Sequence, residues 1–243
     1  MTDISSEYRE LLPEEVDDIA RQYADAWQNP LLPALQYSEC VLPELQKFRS
    51  RIPVPPFDAL IACLEKIPSV SSILDVGASS GYYRRVLDMS GYTMSYVGID
   101  SSPAMVELGR RMFMRPDDKL DLGDACDLPY PDASFDVVLS GGTIMHIRDY
   151  EKAIAEMVRV SNKYVILHRT PVSFEQPMAF YLKKGYGVPM FEILFNQQEL
   201  LRLCCDQYGL SLALFYTIFW NKERRSGHRT FVFVKDKVVH VAA

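Results

Sequence analysis

The spacing of apolar positions changes character near residue 70. Between Glu14 and Lys66 they recur at helical intervals, broken by Pro30, Pro33, Pro43 and the run Pro53-Val54-Pro55-Pro56. Proline removes a backbone donor and clashes with the preceding turn, so this stretch predicts several short helices joined by kinks. From Ser72 onward short apolar runs alternate with helical patterns. The runs predict strands at Ser72–Val76, Ser95–Ile99, Lys119–Leu122, Phe135–Leu139 and Tyr164–Leu167. The patterns between them predict helices at Tyr83–Met89, Pro103–Met114 and Tyr150–Val160. The second has proline near its first turn, and the third puts Ile154, Met157 and Val158 on one face. A long tract follows from Thr170 to about Asn196 with no element assigned. A helix over Gln197–Gln207 and a closing strand pair, Ser211–Phe219 and Thr230–Lys237, complete the pattern. Such alternation implies an α/β fold, a doubly wound parallel sheet with helices on both faces.

Composition narrows the function classes. The 243 residues allow one large domain or a domain with an appendage, and 48% of them are hydrophobic, enough for a full core. No apolar run reaches the roughly 18 to 20 residues of a membrane span, and MTDISSEYRE lacks the basic and apolar regions of a secretory signal, so the expected location is cytoplasmic. Five cysteines, an odd number without CxxC spacing, predict reduced thiols rather than a disulfide framework or a metal site. The net charge of −6 disfavours a nucleic-acid partner. Lys222, Arg224, Arg225 and Arg229 read as a solvated loop.

The candidate chemistry lies at the first strand's carboxyl end. In doubly wound sheets ligands bind beyond the strand ends, where the strand order reverses. There the chain reads Asp75-Val76-Gly77-Ala78-Ser79-Ser80-Gly81. Gly77 permits a turn that brings backbone close to a ligand, and Gly81 lets the next helix start against the sheet. The second strand ends in Asp100, placed to accept hydrogen bonds from both hydroxyls of a ribose. That feature suits NAD and adenosine cofactors alike. Dinucleotide sites favour GxGxxG facing a pyrophosphate, whereas this turn is DxGxxxG. A leading acid with a wider gap suits a cofactor without phosphate that carries a cationic amine.

ILDVGASSG, YVGIDSS and GDACDLPYPDASFD, the last from Gly123 to Asp136, together resemble a class I S-adenosylmethionine-dependent methyltransferase of the small-molecule group called type 11. The likeness covers roughly Ile73 to Arg169. It implies a Rossmann-like, mostly parallel sheet of seven strands in the order 3-2-1-4-5-7-6, whose last hairpin introduces one antiparallel strand. The domain would span 69–243, with an N-terminal helical lid over 1–68. It implies S-adenosylmethionine as cofactor and S-adenosylhomocysteine as product. By the resemblance Asp75 sits by the methionine amine, Gly77, Ala78 and Ser79 line the cofactor, Asp100 holds the ribose, and Ser101 and Met105 flank the adenine. Asp124 accepts the adenine amino group beside Ala125 or Cys126, and Ser140 and Gly141 close over the methionine part.

On the acceptor side, His146 follows the fourth strand, where related enzymes often carry a histidine near the methyl; it is a candidate base or a packing residue. His168 and Arg169 end the fifth strand, and Arg169 could pair with a carboxylate or phosphate of the substrate or with a local acid. The run Arg169-Thr170-Pro171 resembles a methyltransferase group found in surface-polysaccharide gene sets. Tyr23, Trp27 and Tyr37, together with Tyr82, Tyr83 and the aromatics Phe174, Phe180, Tyr181, Tyr186 and Phe191, either wall a pocket or pack. The expected reaction is O- or N-methylation of a small-molecule or saccharide acceptor, with a homodimer admitted as an assembly. Two rivals stand beside it: a noncatalytic S-adenosylmethionine-binding or assembly protein, and a nicotinamide-dependent oxidoreductase.

Overall fold

The computed structural model of the chain describes residues 5–68, 70–222 and 225–235. Lys237, of the last predicted strand, and Arg224, of the basic loop, lie outside the described residues. The first element is a strand, β1 (Ser5–Glu10), followed by short helical pieces: α1 (Val16–Gln22), α2 (Leu32–Gln36), α3 (Leu42–Arg49) and α4 (Pro55–Lys66). Prolines sit in the first turns of α2, α3 and α4, where a missing donor costs nothing. Five strands then run parallel: β2 (Ser72–Val76), β3 (Ser95–Asp100), β4 (Lys119–Leu122), β5 (Phe135–Gly141) and β6 (Ser161–Ser173). The helices between them are α5 (Tyr83–Met89), α6 (Pro103–Met112) and α7 (Tyr150–Val160). β7 (Ala179–Gly185), β8 (Val188–Asn196), α8 (Gln197–Arg202), β9 (Leu210–Asn221) and β10 (Ser226–Lys235) follow.

Pairing runs β4-β3-β2-β5-β6-β10-β9, with β10 antiparallel to both neighbours. The chain reverses direction in the sheet between β2 and β5, so a crevice opens beyond their carboxyl ends. Side chains alternate across the sheet. Leu74, Val76, Val138, Val165 and Leu167 join one core with α7, whereas Ile73, Val137, Leu139 and Ile166 join the other with α4 and α5.

The expected count of seven strands is corrected to ten among the described residues. β6 has 13 residues and outruns β5, and its freed edge at Val172 and Ser173 accepts β8 at Phe195 and Asn196. β7 pairs with β8 and β1 with β7, both antiparallel. The tract after Arg169 is therefore the end of one strand and a hairpin. Tyr186 and Gly187 form its two-residue turn, with φ of 50° and 78°. β1 joins the sheet through β7, and α4 buries Phe57, Leu60 and Cys63 in the core. Among the described residues no helix is long and apolar enough to cross a membrane.

Candidate active site

The turn after β2 bends because three of its residues are left-handed, Gly77 at φ 69°, Ser79 at 54° and Gly81 at 69°. The amides of Gly77 and Ala78 donate to the carbonyl of Ile99 at 2.8 and 3.0 Å, clipping the turn to β3. A Cβ on Gly77 would lie 2.1 Å from Thr143 Cγ2, and the Thr143 hydroxyl donates to the Gly77 carbonyl at 3.0 Å. Gly77→Ala is expected to lose about 2 to 4 kcal/mol, from left-handed strain plus the clash. In thermal denaturation that is a fall in Tm of roughly 5 to 15 °C; an unchanged Tm would refute the assignment.

Around this turn lies a cavity of about 910 Å³. Asp100 lines it at the end of β3, its Oδ2 accepting from the Ser79 amide at 2.7 Å and its Oδ1 from the Ser102 amide at 2.9 Å. A carboxylate has about four lone-pair directions, so acceptor capacity remains for a ligand. Burial raises the Asp100 carboxyl above its ordinary range. Ser101 and Met105 line the same wall, and the Ser79 hydroxyl lies 3.3 Å from Met105 Sδ. Asp124, Ala125 and Cys126 form the next part of the rim, where Asp124 Oδ1 accepts from the Cys126 amide at 2.8 Å.

Asp75 lies behind the turn, fully buried. The Tyr96 hydroxyl donates to its Oδ2 at 2.7 Å, while Oδ1 has no partner. Burial, opposed by that hydrogen bond, lifts its carboxyl to about 7. A buried carboxylate oxygen without a donor is the kind of group a cationic amine, or a water bound by one, would satisfy. The structure does not bring three other predicted residues to the cavity wall. Gly81 packs beneath the turn, its missing Cβ facing Met114. Ser140 points to the opposite sheet face from Gly141, with its hydroxyl buried and unpartnered. His168 is fully buried, with Nδ1 2.7 Å from the Thr230 hydroxyl and its ring edge-on to Tyr83.

His146 and Arg169 do line the cavity. His146 Nδ1 lies 2.7 Å from the Phe191 carbonyl, and since a carbonyl only accepts, that nitrogen carries the proton. Burial, with the charge of Lys183, pushes this imidazole down to about 3. In a pH titration followed by imidazole NMR, His146 is expected to keep its neutral signature to about pH 4. A midpoint near the ordinary 6.5 would overturn the geometry.

Trp27, one of the aromatics offered as pocket wall, lines the cavity and covers His146, ring centroids 5.1 Å apart. Other cavity residues were not legible as site residues. Gln36 Oε1 accepts from the Ser79 hydroxyl at 2.5 Å, and Arg148 pairs with Asp17 at 2.8 Å. These contacts bring α1, α2 and their connection to the cavity mouth. Thr143 carries no sequence signal beyond following Gly141 and Gly142 at the end of β5. Among the described residues no group of three His, Cys, Asp or Glu is arranged to hold a metal.

Residues 74–167 match the family model described as a methyltransferase domain. Ajmaline N-methyltransferase of Rauvolfia serpentina is 42% identical over 74 residues, covering 29% of this chain and 25% of that protein. Demethylmenaquinone methyltransferase of Staphylococcus aureus (strain MRSA252) is 36% identical over 135 residues, 52% of this chain and 55% of that protein. The chain thus spans between a quarter and about half the length of these curated relatives. Among solved structures, Burkholderia thailandensis 1,6-didemethyltoxoflavin-N1-methyltransferase, with bound 1,6-didemethyltoxoflavin and S-adenosylhomocysteine, superposes with a TM-score of 0.59. It shares 15% identity and covers 89% of this chain and 90% of that one, a likeness of fold. Residues 74–167 are thus similar to a methyltransferase domain, and the sheet that carries them has the fold of the S-adenosylmethionine-dependent methyltransferase on which it superposes.

Proposed function

We propose that the protein transfers the methyl group of S-adenosylmethionine to an oxygen or nitrogen of a small-molecule or saccharide acceptor, releasing S-adenosylhomocysteine. The observation that carries this reading is Asp100, a half-buried carboxylate at the cavity wall held by two backbone amides with acceptor capacity to spare. When bound, S-adenosylmethionine would supply a methyl group made electrophilic by its sulfonium. Asp100 would hold its ribose, Asp124 its adenine amino group and Asp75 its amine end, with the backbone of Gly77, Ala78 and Ser79 along the wall between them. The relatives act, by their names, on ajmaline, demethylmenaquinone and 1,6-didemethyltoxoflavin, which supports a small-molecule acceptor.

What remains for this chain is alignment of nucleophile and methyl with water excluded. The N-terminal helical extension serves as the lid, latched by Gln36 on Ser79 and by Asp17 on Arg148. His146 is a positioning residue. A base must accept a proton near neutral pH to be efficient, and burial makes this imidazole reluctant to charge. Its fixed ring instead holds Trp27 against the cavity wall.

Calorimetric titration with S-adenosylmethionine, S-adenosylhomocysteine and NAD tests the reading. Micromolar binding of both adenosyl compounds and none of NAD is expected. Binding of NAD alone would favour an oxidoreductase. Cofactor binding without methyl transfer to any of a broad acceptor panel would favour the noncatalytic alternative.

A further inference from the structure

We propose that the methyl acceptor carries a carboxylate, received by the Arg169 guanidinium and the Tyr83 hydroxyl. This rests on the methyltransferase reading above and specifies the acceptor class. Arg169 lies on β6, three strand spacings or roughly 14 Å across the sheet from β3 and its Asp100. Its backbone is left-handed, φ 57°, at a register shift in the pairing of β6 with β10. A bulge at a strand end re-aims a side chain, and a strained φ on a non-glycine residue is the kind of outlier that clusters at ligand sites. Gly142, φ 76°, turns the chain beside Arg169 in a backbone conformation that L side chains rarely adopt.

The charge count selects the ligand. Among the described residues no carboxylate lies within ion-pairing distance of Arg169; its guanidinium donates to the Tyr82 hydroxyl at 3.3 Å, one of five donors. The other cation on this side of the cavity, Lys183, is paired with Glu192, and both side chains are buried. The Arg169 guanidinium is therefore a half-buried cation at the cavity wall without a carboxylate partner, a charge that an anionic ligand would meet. A carboxylate balances it and matches the planar fork, whereas a phosphate dianion would leave a net negative charge behind. Tyr83 is the second observation. It is 2% exposed, it lines the cavity, and its hydroxyl lies beside Arg169 and Tyr82 without a well-formed hydrogen bond to either. Burial raises that phenol, so it stays a donor. Tyr82, Tyr186 and Trp27 supply aromatic wall for the acceptor's apolar body.

The test is titration of the full chain, saturated with S-adenosylhomocysteine, with benzoate, benzamide and phenyl phosphate. Benzoate is expected to bind at least about tenfold more tightly than benzamide, and more tightly than phenyl phosphate. Arg169→Gln should weaken benzoate by about tenfold or more and Tyr83→Phe by about threefold, each with S-adenosylhomocysteine affinity within about twofold of wild type. Benzoate that fails to bind or that binds no better than benzamide, a preference for phenyl phosphate, or an indifferent Arg169→Gln variant would each overturn the carboxylate site. Should Arg169→Gln fail to fold, the benzoate to benzamide ratio on wild type and Tyr83→Phe decides. Failure of S-adenosylhomocysteine to bind wild type strikes the methyltransferase reading instead, and the three probes are then titrated on the free chain.

Discussion

Asp100→Ala is expected to weaken S-adenosylmethionine binding by about a hundredfold, the largest loss from any single cavity side chain. Hydrogen bonds to a charged acceptor contribute about 1.5 to 3 kcal/mol each, and a ribose presents two hydroxyls. The same carboxylate also holds the amides of Ser79 and Ser102, so its removal loosens the turn that lines the cofactor. Asp100→Asn keeps the shape and one acceptor oxygen but sets its amino group against one of the two backbone amides, so an intermediate loss of about tenfold is expected. Calorimetry with S-adenosylhomocysteine reads both variants, and a thermal melt shows whether the turn has come apart. If the alanine variant bound like wild type, the ribose assignment would be lost and with it the main support for the proposed cofactor pose.

The core of the fold was legible because its chemistry is local. Most central strands are short apolar runs, and the glycine turn lies between Asp75 and the α5 pattern within a few residues. The edges were not. β1 reads SSEYRE and has no apolar face to announce it; it exists by pairing with β7. In the β7–β8 hairpin, Lys183 and Glu192 occupy inward positions and neutralise each other there, so charges stand where a strand's period calls for apolar residues. Tyrosine is also a poor marker for a left-handed turn, which hides Tyr186-Gly187. The site divides the same way. Asp75, Asp100 and Asp124 follow strands whose ends can be read, whereas Gln36 reaches Ser79 across 43 residues of chain. Asp136, in the motif most specific to the resemblance, turns out to tie β5 to the chain before β2, accepting from the Ser71 amide at 2.8 Å and pairing with Lys163 at 2.9 Å. A motif can therefore mark a family through a residue that braces the sheet rather than one that touches a ligand.

Asp75 supplies the second large effect, through pH. Burial raises its carboxyl from 3.8 to about 7 in the free protein. Between those values the folded chain binds a proton that the unfolded chain has released, so stability falls as pH rises through the window and is level above it. A shift of this size corresponds to a loss on the order of 4 kcal/mol. Asp75→Asn keeps an acceptor for the Tyr96 hydroxyl and cannot ionise. Denaturant titrations should therefore show wild type losing ground to this variant from about pH 4 to 7 and holding level beyond. Cofactor binding runs the other way. An ammonium at Asp75 favours the carboxylate, so binding below pH 7 expels the proton and weakens by up to about tenfold per pH unit. The Asp75→Asn variant should bind more weakly at pH 8 and show no such slope. A wild-type affinity that stayed flat from about pH 5.5 to 7.5 would mean that the buried oxygen of Asp75 is met by something other than the cofactor's amine.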